Sequence, residues 1–160
     1  MKTLIICFSY HHKNTERIAS VFARALDAEV KSPSEVDSTN LSDYDLVGFG
    51  SGISFGKHYK DLLELADRLP KVTNTKAFIF STSGQTNNGL KFHSKLREAL
   101  ESKGFGIVGE FNCAGFDTYG ALKIFGGIQK GHPNEDDLKQ AETFALDLKL
   151  PSKLYSNGSE

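Results

Sequence analysis

Charge of one sign is missing from this sequence: 19 Lys and Arg stand against 20 Asp and Glu, a formal net charge of -1. A balance of that kind offers no clustered basic surface, so neither nucleic acid nor an anionic membrane is expected as a partner. Cysteine is nearly absent. Cys7 and Cys113 are the only two, each inside an apolar run of strand character, which excludes a disulfide framework and reads as buried thiols in a reducing compartment. Long apolar runs are lacking as well. The opening stretch, Lys2 to Phe8, is too short for a signal-peptide core or a membrane span, so a cytoplasmic address is the default expectation. His, Cys and acidic residues show no metal-ligand spacing, and no metal is expected. The Gly-Lys-Ser/Thr loop of nucleoside triphosphate hydrolases is absent.

What remains is a chain of 160 residues, 39% apolar and 24% charged, within the size range of one domain built on one core. Strand-forming apolar runs occur at Thr3 to Phe8, Asp45 to Gly50, Ala77 to Ser81 and Ile107 to Cys113, with a weaker one at Ala28 to Ser32. The runs around Leu4 and Phe78 are continuously apolar, as expected for parallel strands covered on both faces. Helical spacing predicts a first helix over Thr15 to Leu26, with Ile18, Val21, Phe22, Ala25 and Leu26 on one stripe, and a second over Tyr59 to Leu69, stopped by Pro70. A third is predicted from Gly89 or Leu90 to Ser102, with Phe92, Leu96 and Leu100 inward and Gly104 as its C-terminal cap. The last begins after Asn134, a good N-cap followed by Glu135, Asp136 and Asp137, and ends near Leu150. Strand and helix alternate, which under the right-handed crossover rule gives an α/β fold with a doubly wound sheet. Residues 1–150 form the expected domain, and 151–160 are expected to be a frayed tail.

In such a sheet, ligands bind beyond the carboxyl ends of the strands. Four polar loops fall there. Ser9-Tyr10-His11-His12-Lys13-Asn14-Thr15 joins the first strand to the first helix, whose N-terminus suits a phosphate. Ser51-Gly52-Ile53-Ser54-Phe55-Gly56 follows the third strand; its small residues let backbone approach a flat ring, and Phe55 is an aromatic that could stack on it or pack in the core. Thr82-Ser83-Gly84 follows the fourth strand, and Gly115-Phe116 opens a connection running to about His132, long for a compact domain.

Strand, polar loop, Asn14-Thr15-Glu16 and an amphipathic helix at the N-terminus resemble the phosphate loop of the flavodoxin family, usually Ser/Thr-x-Thr-Gly-Asn-Thr. Lys13 stands where the family has Gly, and His11 and His12 stand where it has hydroxyls. The resemblance extends over roughly Lys2 to Leu150. It implies a flavodoxin-like three-layer sandwich, a five-stranded parallel sheet in the order 2-1-3-4-5 with helices on both faces, and one non-covalently held FMN. By that resemblance the first loop takes the phosphate, Ser51 to Gly56 flanks the ring and meets its N5 edge, and Thr82 to Gly84 serves its polar edge.

The implied function is electron transfer between redox partner proteins, with an FMN-dependent oxidoreductase of the quinone or porphyrinogen type as the alternative. A near-neutral chain lacks the acidic surface with which flavodoxin shuttles steer onto basic partners. Two other patterns compete. Gly52-Ile53-Ser54-Phe55-Gly56 fits the Gly-x-Ser-x-Gly elbow of serine hydrolases, with Asp117 and His132 following in order, yet Ser54 lies several residues beyond the apolar strand. Gly48-Phe49-Gly50-Ser51-Gly52 falls short of the dinucleotide fingerprint and follows the wrong strand.

Overall fold

Leu4 and Ile6 belong to one apolar layer, and Ile5 and Cys7 to another, so the first strand is buried from both sides. The computed structural model describes residues 1–9, 13–36, 38–84, 86–87, 89–115 and 129–150. Within it, β1 (Thr3–Phe8) lies parallel to β2 (Glu29–Lys31), with Leu4 opposite Glu29, and to β3 (Leu46–Ser54), with Thr3 opposite Leu46. The two-residue β4 (Lys57–His58) folds back antiparallel on the end of β3. β5 (Lys76–Ser83) and β6 (Gly106–Ala114) complete the parallel set. The order β2-β1-β3-β5-β6 is the expected doubly wound order once the small β4 is set aside.

Helices α1 (Asn14–Leu26) and α4 (Glu135–Lys149) cover one face, and α2 (Lys60–Arg68) and α3 (Ser94–Ser102) the other. The α1/α4 layer is built on aromatic rings. Phe22 of α1 lies 5.5 Å from Phe78, 5.0 Å from Phe80, 5.7 Å from Phe111 and 5.7 Å from Phe144, mostly edge-on. Such contacts add roughly 0.5–1.5 kcal/mol per pair beyond area burial. Gly48 and Gly50 make the room: a Cβ on either would sit inside the ring of Phe78 or Phe80. Those two glycines of the incomplete dinucleotide pattern are therefore space for phenylalanines across the sheet.

Helix ends follow local chemistry. Asn134 caps α4, its side chain accepting from the Asp137 N–H at 3.0 Å while Asp137 accepts from the Asn134 N–H at 2.8 Å. Gly104, beyond the end of α3, takes φ of 96°, where a glycine has no Cβ to strain. Two expectations need correction. The stretch from Gly89 begins as a 3-10 turn (Gly89–His93) before α3 starts at Ser94, which rotates His93 inward and leaves Phe92 half-buried. In addition, β3 continues to Ser54 instead of ending near Gly50, because β4 returns alongside it and prolongs the pairing. Among the described residues, no helix is long and apolar enough to cross a membrane. The expected tail, 151–160, lies outside the described residues.

Candidate functional site

At the carboxyl ends of β1, β5 and β6 three of the polar loops meet. Lys13 precedes α1 with φ 52° and ψ 33°, the left-handed conformation that glycine adopts without strain. A lysine there costs about 1–2 kcal/mol relative to its ordinary backbone. The loop thus keeps a glycine-like turn although the glycine is gone. Ser9 Oγ accepts from the Glu16 N–H at 3.3 Å, holding the start of α1 against the end of β1. Thr15 Oγ1 and Thr82 Oγ1 are 2.8 Å apart and buried, a hydrogen bond that ties the first turn of α1 to the end of β5. Gly115 closes the corner: its N–H donates to the Ser83 carbonyl at 3.0 Å, and a Cβ on it would stand 2.8 Å from Asn14 Nδ2 and 3.1 Å from Thr82 Cβ. A helix N-terminus offers N–H groups with no carbonyl of their own helix to bond, together with partial positive charge. Its environment here suits an anion.

The fourth loop is the β3–β4 hairpin. Ile53 pairs with His58 and Ser54 with Lys57, leaving Phe55 and Gly56 as the two turn residues, with φ of 52° and 74°. Positive φ at both places gives the hairpin turn whose twist matches antiparallel strands. Asparagine or glycine is the usual first residue there. Phe55 instead carries backbone strain with φ of 52° and is 84% exposed at the tip. Behind it, the Tyr59 ring covers Gly52, where a Cβ would lie 2.7 Å from Cε2, and stands 5.6 Å from the ring of Phe8. This places Ser54 on a strand-to-strand hairpin, whereas a nucleophile elbow is a strand-to-helix turn. His132, the other hydrolase candidate, bonds Asp137 at 2.6 Å beside the cap of α4.

Beneath these loops, on the α2/α3 side, runs a buried polar chain that sequence reasoning missed. The Ser51 hydroxyl donates to the Gly52 carbonyl at 2.7 Å, accepts from the Tyr59 N–H at 3.1 Å and lies 2.9 Å from His58 Nδ1. Ser51 is itself fully buried, so its side chain faces inward and only its backbone borders the loop. The His58 ring is 5.0 Å from that of His93. His93 Nε2 is 2.6 Å from Ser81 Oγ, which accepts from Asn112 Nδ2 at 2.7 Å, and the same amide reaches Ser83 Oγ at 3.3 Å. On its other side His93 Nδ1 approaches Glu110 Oε1 at 3.3 Å, an ion-pair distance, and Arg97 grips Glu110 at 2.7 and 3.1 Å. Burial, then the neighbouring His93, holds the His58 imidazole well below its ordinary value. Burial likewise takes His93 down to about 4, against the pull of Glu110 and with the help of Arg97. Both rings are neutral at pH 7. Ser81, His93 and Glu110 stand in space as hydroxyl, imidazole and carboxylate, like the members of a hydrolase triad, but the Ser81 hydroxyl is sealed in the core and out of reach of a substrate. The one signal in the sequence was a histidine four residues after Gly89 in a run with helical spacing, which ordinarily means a solvated residue.

The expected buried thiols are found. Cys7 and Cys113 are free, and burial pushes each up to about 12. For Cys7 the Glu16 carboxylate adds to the effect, and for Cys113 Asp137 does. Because the thiolate is the reactive form, the native protein should leave a thiol-specific disulfide reagent unconsumed at pH 8, and both cysteines should react within the mixing time in denaturant. Rapid labelling of the native protein would contradict this.

The structure thus brings Asn14, Thr15, Thr82 and Gly115 to one corner, with Ser9 and Lys13 setting the start of α1 and Ser83 and Gly84 at the end of β5. Ser51, Gly52, Ile53, Ser54, Phe55 and Gly56 form the hairpin. Tyr10, His11, His12 and Phe116, with the rest of the long connection from 117 to 128, lie outside the described residues.

Comparison with known proteins agrees with this fold. A family model described as a flavodoxin domain matches residues 5–120. An uncharacterised protein of Methanocaldococcus jannaschii is 52% identical over 148 residues, covering 92% of this chain and 98% of its own. Oxidised flavodoxin 2 from Bacillus cereus superposes with a TM-score of 0.66 at 21% identity, over 91% of this chain and 96% of its own. A Fusobacterium nucleatum flavodoxin bound to flavin mononucleotide superposes with a TM-score of 0.65 at 14% identity, over 93% and 98% of the two chains.

Proposed function

The chain belongs to the flavodoxin family, and on that premise we propose that it holds one FMN at the carboxyl ends of its strands and carries electrons between redox partner proteins. The observation that carries the reading is Lys13. A left-handed lysine at the start of α1 keeps, at an energetic cost, the backbone turn that presents a helix N-terminus to a phosphate. The corner fits such a group. Gly115 is bare where a side chain would fill the space beside Asn14 and Thr82, and the Thr15–Thr82 bond fixes the helix start to the sheet. Phe55 at the hairpin tip and Tyr59 over Gly52 supply aromatic faces for a flat ring, and the Ser83–Gly84 backbone supplies polar groups for its pyrimidine edge.

When bound, FMN supplies reversible one- and two-electron redox chemistry. This chain's part is to bind, orient and shield it. The phosphate end is held by backbone donors and dipole charge, and the ring end by the hairpin. Donor and acceptor proteins would dock without strong electrostatic steering, because the net charge is -1. That same near-neutrality favours a second reading, an FMN-dependent oxidoreductase acting on a small acceptor at the hairpin.

Titration of the purified protein with FMN tests the proposal. Saturable quenching of flavin fluorescence at one equivalent is expected, and Gly115→Val should weaken it at least tenfold by crowding Asn14 and Thr82. No binding at high FMN would remove the cofactor. Turnover of a quinone with NAD(P)H by this chain alone would select the oxidoreductase, whereas reduction only through a second protein would select the carrier.

A further inference from the structure

The buried histidines lie between the two segments that would close on the flavin, and no part of the proposed electron transfer uses them. His58 belongs to β4 and holds the hairpin through Ser51, whose oxygen also receives the Tyr59 N–H. His93 precedes α3 and holds the end of β5 through Ser81, to which Asn112 links Ser83. The two rings meet at 5.0 Å and 38°. Each is less than 2% exposed, and each keeps one ring nitrogen, His58 Nε2 and His93 Nδ1, with no hydrogen-bond partner among the described residues. A buried imidazole left in that condition costs about 1–3 kcal/mol, and hydrophobic side chains would fill the same volume without it.

The protonation pattern follows from the neighbours. The Ser51 hydroxyl gives its proton to the Gly52 carbonyl, so it accepts from His58 Nδ1–H. Ser81 accepts from Asn112 and gives its proton to His93 Nε2, leaving the His93 proton on Nδ1 toward Glu110. His93 is satisfied toward Ser81 only as the neutral ring; His58 keeps its Nδ1–H bond to Ser51 in either state, so what a proton there disturbs is the 5.0 Å contact with the second imidazole. The charged groups that face the pair are Glu110 from β6 and Arg97 from α3, and these are already paired with each other at 2.7 Å. A proton added to His58 would find no acceptor at Nε2 and would face the second imidazole. One added to His93 would land on Nε2, displacing the Ser81 hydroxyl proton that bonds there.

We propose that His58 and His93 are positioning residues: together they form a proton-sensitive clasp that fixes the β3–β4 hairpin to the end of β5, and acidification releases it. The consequence for the flavin rests on the FMN reading above; the clasp itself does not. Protonation detaches the hairpin that carries Phe55 and Tyr59 from the strand end that carries Ser83, so FMN affinity falls in acid. A histidine beside the phosphate would act with the opposite sign, gaining affinity as it protonates.

The experiment compares wild type with the non-titrating pair His58→Asn/His93→Gln. The amide side chains can bond Ser51 and Ser81 but carry no charge at any pH. Because the FMN phosphate itself titrates near 6, the quantity read is the ratio of Kd at pH 5 to Kd at pH 7 in each protein. We expect that ratio to be at least threefold larger in wild type; equal ratios would overturn the proposal. Amide hydrogen exchange of wild type without FMN gives an independent reading that needs no variant to fold. Between pH 7 and pH 5, after correction for intrinsic chemistry, Tyr59 should lose at least tenfold more protection than Ala28, whose N–H bonds the Ala23 carbonyl at 2.9 Å at the end of α1, where opening releases neither histidine. Equal losses would overturn the clasp whatever FMN does, while absence of FMN binding to wild type at both pH values would overturn the flavin reading and leave the exchange result to decide the clasp.

Discussion

Replacing Phe22 with alanine should lower the unfolding free energy by about 3–5 kcal/mol, the range for deleting a buried aromatic ring. Phe22 has no exposed surface and sits at the centre of Phe78, Phe80, Phe111 and Phe144. Those four rings come from β5, β6 and α4, so collapse around the cavity would have to move the sheet and a neighbouring helix at once. Relaxation is therefore limited, and the cost should lie toward the upper end. Urea unfolding of the two proteins gives the number directly. A loss below about 1.5 kcal/mol would mean that the aromatic layer repacks and that the α1/α4 face is less rigid than its ring geometry implies. Since α1 also carries the proposed phosphate end, the variant should bind FMN more weakly only to the extent that it is unfolded.

Acid should be nearly as damaging. His58 and His93 are depressed in the folded protein, His93 to about 4, from an ordinary 6.5. Above pH 6.5 neither state binds the protons and stability is complete. As the pH falls below 6.5 the unfolded chain takes up a proton on each histidine while the folded chain does not, so folding loses about 1.4 kcal/mol per pH unit per histidine until the folded value is reached. By pH 5 His93 should cost about 2 kcal/mol, and His58, depressed in the same direction, adds to that loss. Denaturant melts at pH 7, 6 and 5 measure this slope. In His58→Asn/His93→Gln the slope over the same window should largely vanish. A wild-type stability that stays flat from pH 7 to pH 5 would show that the rings are protonated in place.

Much of the architecture was legible from patterns that act locally. Continuous apolar runs separated by amphipathic stretches can be buried only by a two-sided sheet, and the order of elements followed. The cap of α4 was legible because Asn134 and Asp137 act on backbone within one turn. His93 was not. Its inward turn depends on where the 3-10 segment ends and α3 begins, and that is decided by the hydroxyl of Ser81 and the amide of Asn112 on other strands. The hairpin was hidden for a similar reason: Ser51 to Gly56 has the composition of a loop, and it becomes strand only because Lys57 and His58 return to pair with it.

The site divides along the same line. The polar loops at the strand ends could be named from their chemistry, because an anion at a helix N-terminus requires only the backbone and its order. Lys13 shows the limit: a lysine stands where the family has glycine, yet its backbone takes the left-handed conformation of one, which residue type alone does not specify. By itself the sequence determined the fold class, the layers and the loops that border the site, all of which depend on hydrophobic period and local capping. Only the tertiary structure decided the Thr15–Thr82 tie, the bare corner at Gly115 and the facing imidazoles of His58 and His93, because each is a contact between residues far apart in the chain whose partners no local pattern specifies.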